Sequence, residues 1–234
     1  MAAASTIRVF SGGATQGAFA VLTPNFIAQT GHKVDYIFEV TAALDARLAA
    51  GEKADVLVLP VPILDTYAKA GKLRADARAV FGNLGVSVVV KAAAPKPDIS
   101  TKEKFRAAML AARSIVHATP GKTPSGTHLG KVMQELGIAD AIADKTMHKP
   151  ALDGGVEVVA DGKAEIGIYP ASEVAMVKGL DVVGPLPAGI DLTIVYGGAA
   201  TAGSGDAAAA FVKFMAAPEH RAAWRDAGFV PPGG

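Results

Sequence analysis

Cysteine is absent from the 234 residues. Disulfides, thiolate metal sites and cysteine nucleophiles are therefore excluded. No run of eighteen apolar residues occurs, so no transmembrane helix and no membrane insertion are expected. Aromatic residues make up only 6% of the chain, and the mean hydropathy of +0.31 comes mostly from alanine and valine. Excess charge of one sign is also missing: 23 basic and 22 acidic residues are spread evenly, for a net charge of +1. Neither the basic stripe of a nucleic-acid binder nor a polybasic membrane cluster is present, and nucleic acid is not expected as a partner. Residues 1–6 (MAAAST) carry no basic n-region and no apolar h-region, so no signal peptide is visible.

Catalytic and cofactor signatures are just as sparse. The five histidines (His32, His117, His128, His148 and His220) show neither HxxxH nor HExxH spacing, so no metal site is expected. No GxSxG elbow supports a Ser-His-Asp triad. Gly121-Lys122-Thr123 superficially looks like a P-loop, but Val116 stands five residues earlier, where the first glycine should be. Nucleotide binding is rejected, and no cofactor is expected.

What the sequence does contain is alternation. Residues 7–10 (IRVF) read as a strand, and Phe19, Leu22, Phe26 and Ile27 recur at helical steps before Gly31. Residues 33–40 alternate as a strand, and Thr41 is the expected N-cap of a helix closing on Gly51. A buried strand at 55–59 turns through Pro60-Val61-Pro62 into a helix at 63–71. Strand, helix, strand, helix, strand, helix argues for a parallel sheet with helices on its faces. Further strands are expected at 84–90, 114–118, 165–169, 181–183 and 192–196. Further helices are expected from Ser100 or Thr101 to about Arg113, up to Leu136 after the TPGKTPSGT loop, at 156–161, after Pro170 and from Asp206 to Met215. Pro218 begins a last short helix, in which Trp224 packs.

Ligands of such sheets sit beyond the strand carboxyl ends. Ser11-Gly12-Gly13, Thr41, Pro60, Ser125-Gly126-Thr127 and Tyr169 fall at these positions. Helix N-termini offer unpaired N–H donors and partial positive charge, and glycine lets the backbone approach a ligand closely. Several such ends converging form an anion site without arginine. Lys122 adds a positive charge to an anionic ligand or is a solvated loop lysine. His117, at a strand end, is the histidine with access to acid–base chemistry.

Four stretches carry a family resemblance. They are SGGATQGAFAVLTPNFIAQTGHKV, TAALDARLAAGEKADVLVLP, GGVEVVADGKAEIGIYPASEV and AAAAFVKFMAAPEHRAAWRDAGFVPP. Together they resemble periplasmic solute-binding proteins of the type 2 fold, of the molybdate-binding kind, a fold family that also includes an aconitate isomerase. The resemblance implies an α/β fold of two lobes, each a mostly parallel sheet flanked by helices. Residues 1–83 and 197–234 would form lobe one and 84–196 lobe two, with two crossing strands at 84–90 and 192–197. It implies ligand contacts from Ser11, Gly12, Thr41, Ser125 to Thr127 and Tyr169. The implied function is capture of a small anion, an oxyanion or organic carboxylate, in the inter-lobe cleft for an ABC-type permease. Val40-Thr41-Ala42 stands where molybdate binders carry paired serines or Ser-Gly. The TPGKTPSGT loop is also rich in hydroxyls and charge, and both departures favour an organic acid. The alternative is an isomerase of a small unsaturated acid such as aconitate, using His117, Lys122 or Glu39 to move the proton. The expected location is periplasmic, the leader being absent from this sequence, with the cytoplasm as the other reading.

Overall fold

The structure, a computed structural model, describes residues 4–232. The chain divides into two compact units: one takes the residues up to Leu84 and those from Ile194 onward, the other Gly85–Thr193. Both transitions fall in or beside strands.

In the first unit the elements alternate as the sequence reading expected. Strand β1 (Thr6–Gly12) leads through a 3-10 turn (Gly13–Thr15) into helix α1 (Gln16–Thr30). Strand β2 (Lys33–Glu39) leads into α2 (Thr41–Ala49), and β3 (Val56–Pro60) into α3 (Val61–Lys69). β1 lies between β2 and β3, parallel to both. Gly31 ends α1 with φ 72, a left-handed conformation that costs glycine nothing.

Strand β4 (Leu73–Lys91) is 19 residues long and crosses from the first unit into the second. The sequence reading placed only 84–90 in it. Its first half carries Arg74, Asp76 and Arg78 in place of the β-branched residues that signal a strand. The second unit then contains α4 (Lys102–Ala111), β5 (Ile115–His117), α5 (Pro124–Glu135), α6 (Ala139–Ile142), β6 (Thr146–His148), α7 (Glu157–Ala160), β7 (Ile166–Pro170), α8 (Ala171–Ala175) and β8 (Leu180–Pro185). α6 and β6 were not foreseen, being too short to establish a period. β5 lies between β6 and β7, parallel to both, while β4 runs antiparallel to β7 on one side and β8 on the other. Strand β9 (Thr193–Thr201) returns to the first unit antiparallel to β3, followed by α9 (Asp206–Met215) and α10 (Arg221–Asp226).

Each sheet is covered on both faces, which explains why its strands are nearly continuous apolar runs. In the first unit Phe10, Leu44, Leu57, Leu59 and Leu64 pack one face. An aromatic cluster is built around Trp224. Its ring stacks on Phe81 at 4.9 Å, meets Phe229 edge-on at 5.0 Å and Phe19 at 5.7 Å. The indole N–H donates to the Met215 carbonyl at 2.8 Å. The chain therefore concentrates its few aromatics where α1, α9 and α10 meet the sheet. In the second unit Phe105, Met109, Leu129, Val132 and Ile138 fill one face and Val156, Val159, Tyr169 and Val174 the other.

Trp224→Ala removes a fully buried aromatic and one hydrogen bond. It should lower unfolding free energy by about 3–5 kcal/mol, measured by urea denaturation; a loss below about 1 kcal/mol would contradict the packing role.

Candidate functional site

The carboxyl ends of β1, β2 and β3 lie side by side in the first unit. Ser11 and Thr15, both fully buried, bring their hydroxyls to 2.6 Å. The Gly12 carbonyl lies within hydrogen-bond distance of both, 3.1 Å from Ser11 Oγ and 3.2 Å from Thr15 Oγ1. Two hydroxyls have two hydrogens: one joins the pair and the other goes to that carbonyl. A ligand would have to displace the Gly12 carbonyl to receive one. Ser11 thus shapes the turn first, and Thr15, missed in the sequence, is its partner. A Cβ on Gly12 would stand 3.2 Å from Tyr196 Oη, so the tyrosine would have to give by a few tenths of an ångström. Gly13 opens the buried 3-10 turn.

The N-cap of α2 is Val40, not Thr41. Val40 is extended and Thr41 is the first helical residue, so the expected capping bond from Thr41 does not form. Its hydroxyl has no protein partner among the described residues. A first-turn position leaves its amide without an intrahelical acceptor. Pro60 ends β3 opposite Tyr196 and precedes α3, contributing a buried bend and no N–H. Glu39 is held by Arg47, whose Nη2 donates to Oε1 at 2.9 Å while Nη1 donates to Glu52.

In the second unit β6, β5 and β7 end side by side. After β5 the loop is drawn tight by its own hydroxyls. Thr123 is the N-cap of α5, accepting from the Gly126 amide at 3.0 Å, and Pro124 takes the first helical position. Thr127 Oγ1 donates to the Thr123 carbonyl at 2.9 Å and accepts from the Gly121 amide at 3.0 Å. Gly126 and Thr127, expected as ligand donors, are therefore engaged in holding the loop. A Cβ on Gly126 would lie 2.6 Å from the Ala118 carbonyl, so only glycine lets α5 sit this close to β5. Of the three expected residues, Ser125 keeps the open role: Pro124 has no N–H and Thr123 has taken Gly126's. The Ser125 hydroxyl sits 3.4 Å from that of Thr123. Lys122 is exposed on this loop.

Tyr169 is fully enclosed in the core of the second unit, and its hydroxyl donates to the Lys149 carbonyl at 2.7 Å. Burial and the nearby Glu173 and Glu157 push its phenol well above the usual range. It anchors the Lys149 segment. His117 is 2% exposed, with Nδ1 at 2.8 Å from the Ala118 carbonyl and its ring 4.7 Å from that of His148. Burial lowers its pKa to about 4, so it is neutral at pH 7 and a weak base. Among the described residues no three His, Asp or Glu side chains converge as a metal would need.

The profile of the family described as bacterial extracellular solute-binding protein matches residues 7–230. The chain belongs to that family. An aconitate isomerase from Pseudomonas sp is 29% identical over 97% of this chain and 88% of its own length. Among solved structures, the Azotobacter vinelandii periplasmic molybdate-binding protein is similar with a TM-score of 0.78 at 20% identity, covering 97% of this chain and 99% of that one. The sulfate-binding protein SubI from Mycobacterium tuberculosis H37Rv has a TM-score of 0.77 at 20% identity, covering 98% and 88%. These structural likenesses establish the type 2 periplasmic-binding fold.

Three further residues stand at the carboxyl edges, Thr123, Ser172 and Glu173, the last two without a signal of their role in the local pattern. Thr followed by Pro at the first helical position was the available signal for Thr123. Ser172 is 2% exposed, and its Oγ has no hydrogen-bond partner among the described residues. Glu173, the next residue in α8, is raised by burial to about 7.

His117 supplies a pH test. Unfolded, it protonates near 6.5; folded, near 4. Between these values the unfolded chain binds the extra proton, so its contribution to stability is lost as pH falls from 6.5 to 4. Glu173 acts with the opposite sign, its contribution lost as pH rises from 4.5 through 7, so the informative comparison is with a variant. Relative to His117→Asn, the native chain should lose up to about 3 kcal/mol across that window, measured by urea melts at pH 4 and 7. Parallel curves would refute the buried neutral histidine.

Proposed function

We propose that this chain captures a small organic polycarboxylate in the periplasm for delivery to an ABC-type permease. The observation that carries the reading is the character of the donors: neutral hydroxyls and first-turn amides at strand carboxyl ends. In the first unit these are Thr41 and the start of α2, a nine-residue helix. In the second they are Ser125 and the start of α5, a twelve-residue helix. Such ends stabilise carboxylate oxygens through N–H donors and partial positive charge. Arg47, in the last turn of α2, is already paired with Glu39 and Glu52. Lys122 adds long-range attraction.

Each hydrogen bond to a charged oxygen contributes about 1.5–3 kcal/mol. Four or five support affinity near micromolar, about −8 kcal/mol, after ordering costs. The resemblance to aconitate isomerase supports a carboxylic acid over an inorganic oxyanion.

A second reading is favoured by that same relative: the site isomerises an unsaturated polycarboxylate instead of handing it on. This requires a group to transfer a proton to and from carbon.

The test is a thermal-shift screen of inorganic oxyanions against di- and tricarboxylates, followed by calorimetry on the best ligand. A polycarboxylate should raise Tm, because ligands that bind only the folded state stabilise it. Thr41→Val and Ser125→Ala should each weaken that ligand about tenfold. Molybdate or sulfate as the tightest ligand would overturn the ligand class. Unchanged affinity in both variants would overturn the donor assignment.

A further inference from the structure

The proton-transfer groups expected from the sequence are poorly suited to the task. Glu39 is in an ion pair with Arg47 at 2.9 Å. His117 is enclosed, with one ring nitrogen on a backbone carbonyl at 2.8 Å. Lys122 lies out on an exposed loop. A different carboxyl stands at the same edge of the second unit's sheet. β7 ends at Pro170, and the chain turns at once into Ser172 and Glu173.

Two independent features mark this pair. Glu173 is half-buried and forms no ion pair or hydrogen bond with any described residue. Its neighbour Ser172 has a wholly buried hydroxyl without a partner. Native proteins leave few buried polar atoms unsatisfied, and an orphan hydroxyl directly before an unpaired carboxyl in the chain, both just past the end of β7, points to a ligand group that completes them. The titratable groups on the packed elements are Tyr169 on β7 and, around the tyrosine, Glu157 on α7 and Lys149. Tyr169 directs its hydroxyl to the Lys149 carbonyl and not to the carboxyl of Glu173.

We propose that Glu173 is the carboxyl that removes and returns the proton when this chain isomerises a small unsaturated polycarboxylate, the Ser172 hydroxyl holding the substrate beside it. The inference rests on the isomerase reading above. The Glu173 carboxylate takes a proton from the methylene next to the double bond; that C–H breaks and the Glu173 O–H forms. The released electron pair becomes a new double bond to the central carbon. The old double bond's electrons move to the far carbon, which receives the proton back from Glu173. The carboxylate is regenerated, and nothing is oxidised or reduced. Desolvation supports the role, since it holds the carboxyl near 7, where an acid–base group works in both directions at neutral pH.

The experiment follows cis-aconitate in deuterated buffer by proton NMR, reading isomerisation and deuterium entry at carbon. The native protein should do both, with kcat/KM rising with pH through an inflection near 7. Glu173→Gln should lose at least about 100-fold in turnover and deuterium entry while keeping the rise in Tm on adding cis-aconitate. Glu173→Asp, which preserves the charge and guards against a folding defect in the amide variant, should be slowed but retain the inflection. Turnover in Glu173→Gln within about tenfold of native overturns the assignment of Glu173 alone. A native protein that neither isomerises aconitate nor admits deuterium overturns the isomerase reading, and the assignment with it.

Discussion

Three parallel strands end side by side in each unit, and the chemistry of the protein follows from what the chain does just past those ends. β1 is flanked by β2 and β3 in the first unit, and β5 by β6 and β7 in the second. Parallel pairing obliges the chain to leave every strand at the same edge and return through a crossover. The first residues of helices therefore gather there. Their amides lack intrahelical acceptors, so each must be capped, hydrated or left for a ligand. Capping and ligand binding compete for the same few donors, and α5 illustrates the outcome: Thr123 takes one amide, Pro124 has none, and Ser125 is left.

The same competition sorts the ionisable groups. Glu39 is neutralised by an arginine, which fixes its charge and removes it from chemistry. His117 is stripped of water with only a backbone carbonyl for company, so the neutral ring wins. Glu173 is partly desolvated and has no ion-pair partner among the described residues, which brings its two protonation states close in free energy at neutral pH. Three groups near strand ends thus acquire three behaviours from their surroundings, and residue type alone predicts none of them.

The strand–helix alternation was legible because both periods are strong in this chain. Phe19, Leu22 and Phe26 are buried on α1 as their spacing requires, and continuous apolar runs mark the doubly covered strands β3 and β7. The first half of β4 was not legible: its alternating charged and small residues hide a strand whose partners come from distant sequence. At the strand ends the sequence revealed which turns are polar but not which hydroxyls are free. Ser11 carries no visible sign that Thr15 and the Gly12 carbonyl will engage it. Thr41 reads as a cap, yet the backbone makes Val40 the cap and leaves the threonine hydroxyl open. Tyr169 reads as a contact at a strand end, yet the strand's pleat turns it inward to Lys149. Glu173 was invisible for another reason: its character comes from desolvation, which belongs to the folded environment and not to the local pattern.

We propose that this protein meets its ligand at the polar turns that follow its parallel strands. Amide hydrogen exchange by mass spectrometry, with and without a saturating tricarboxylate, separates those turns from the rest of each sheet. Ligand should slow exchange in segments 11–15, 41–44, 123–127 and 169–173 and leave the opposite, amino-terminal ends of the same strands unchanged. Protection at those amino-terminal ends, with none in the four turns, would contradict the account.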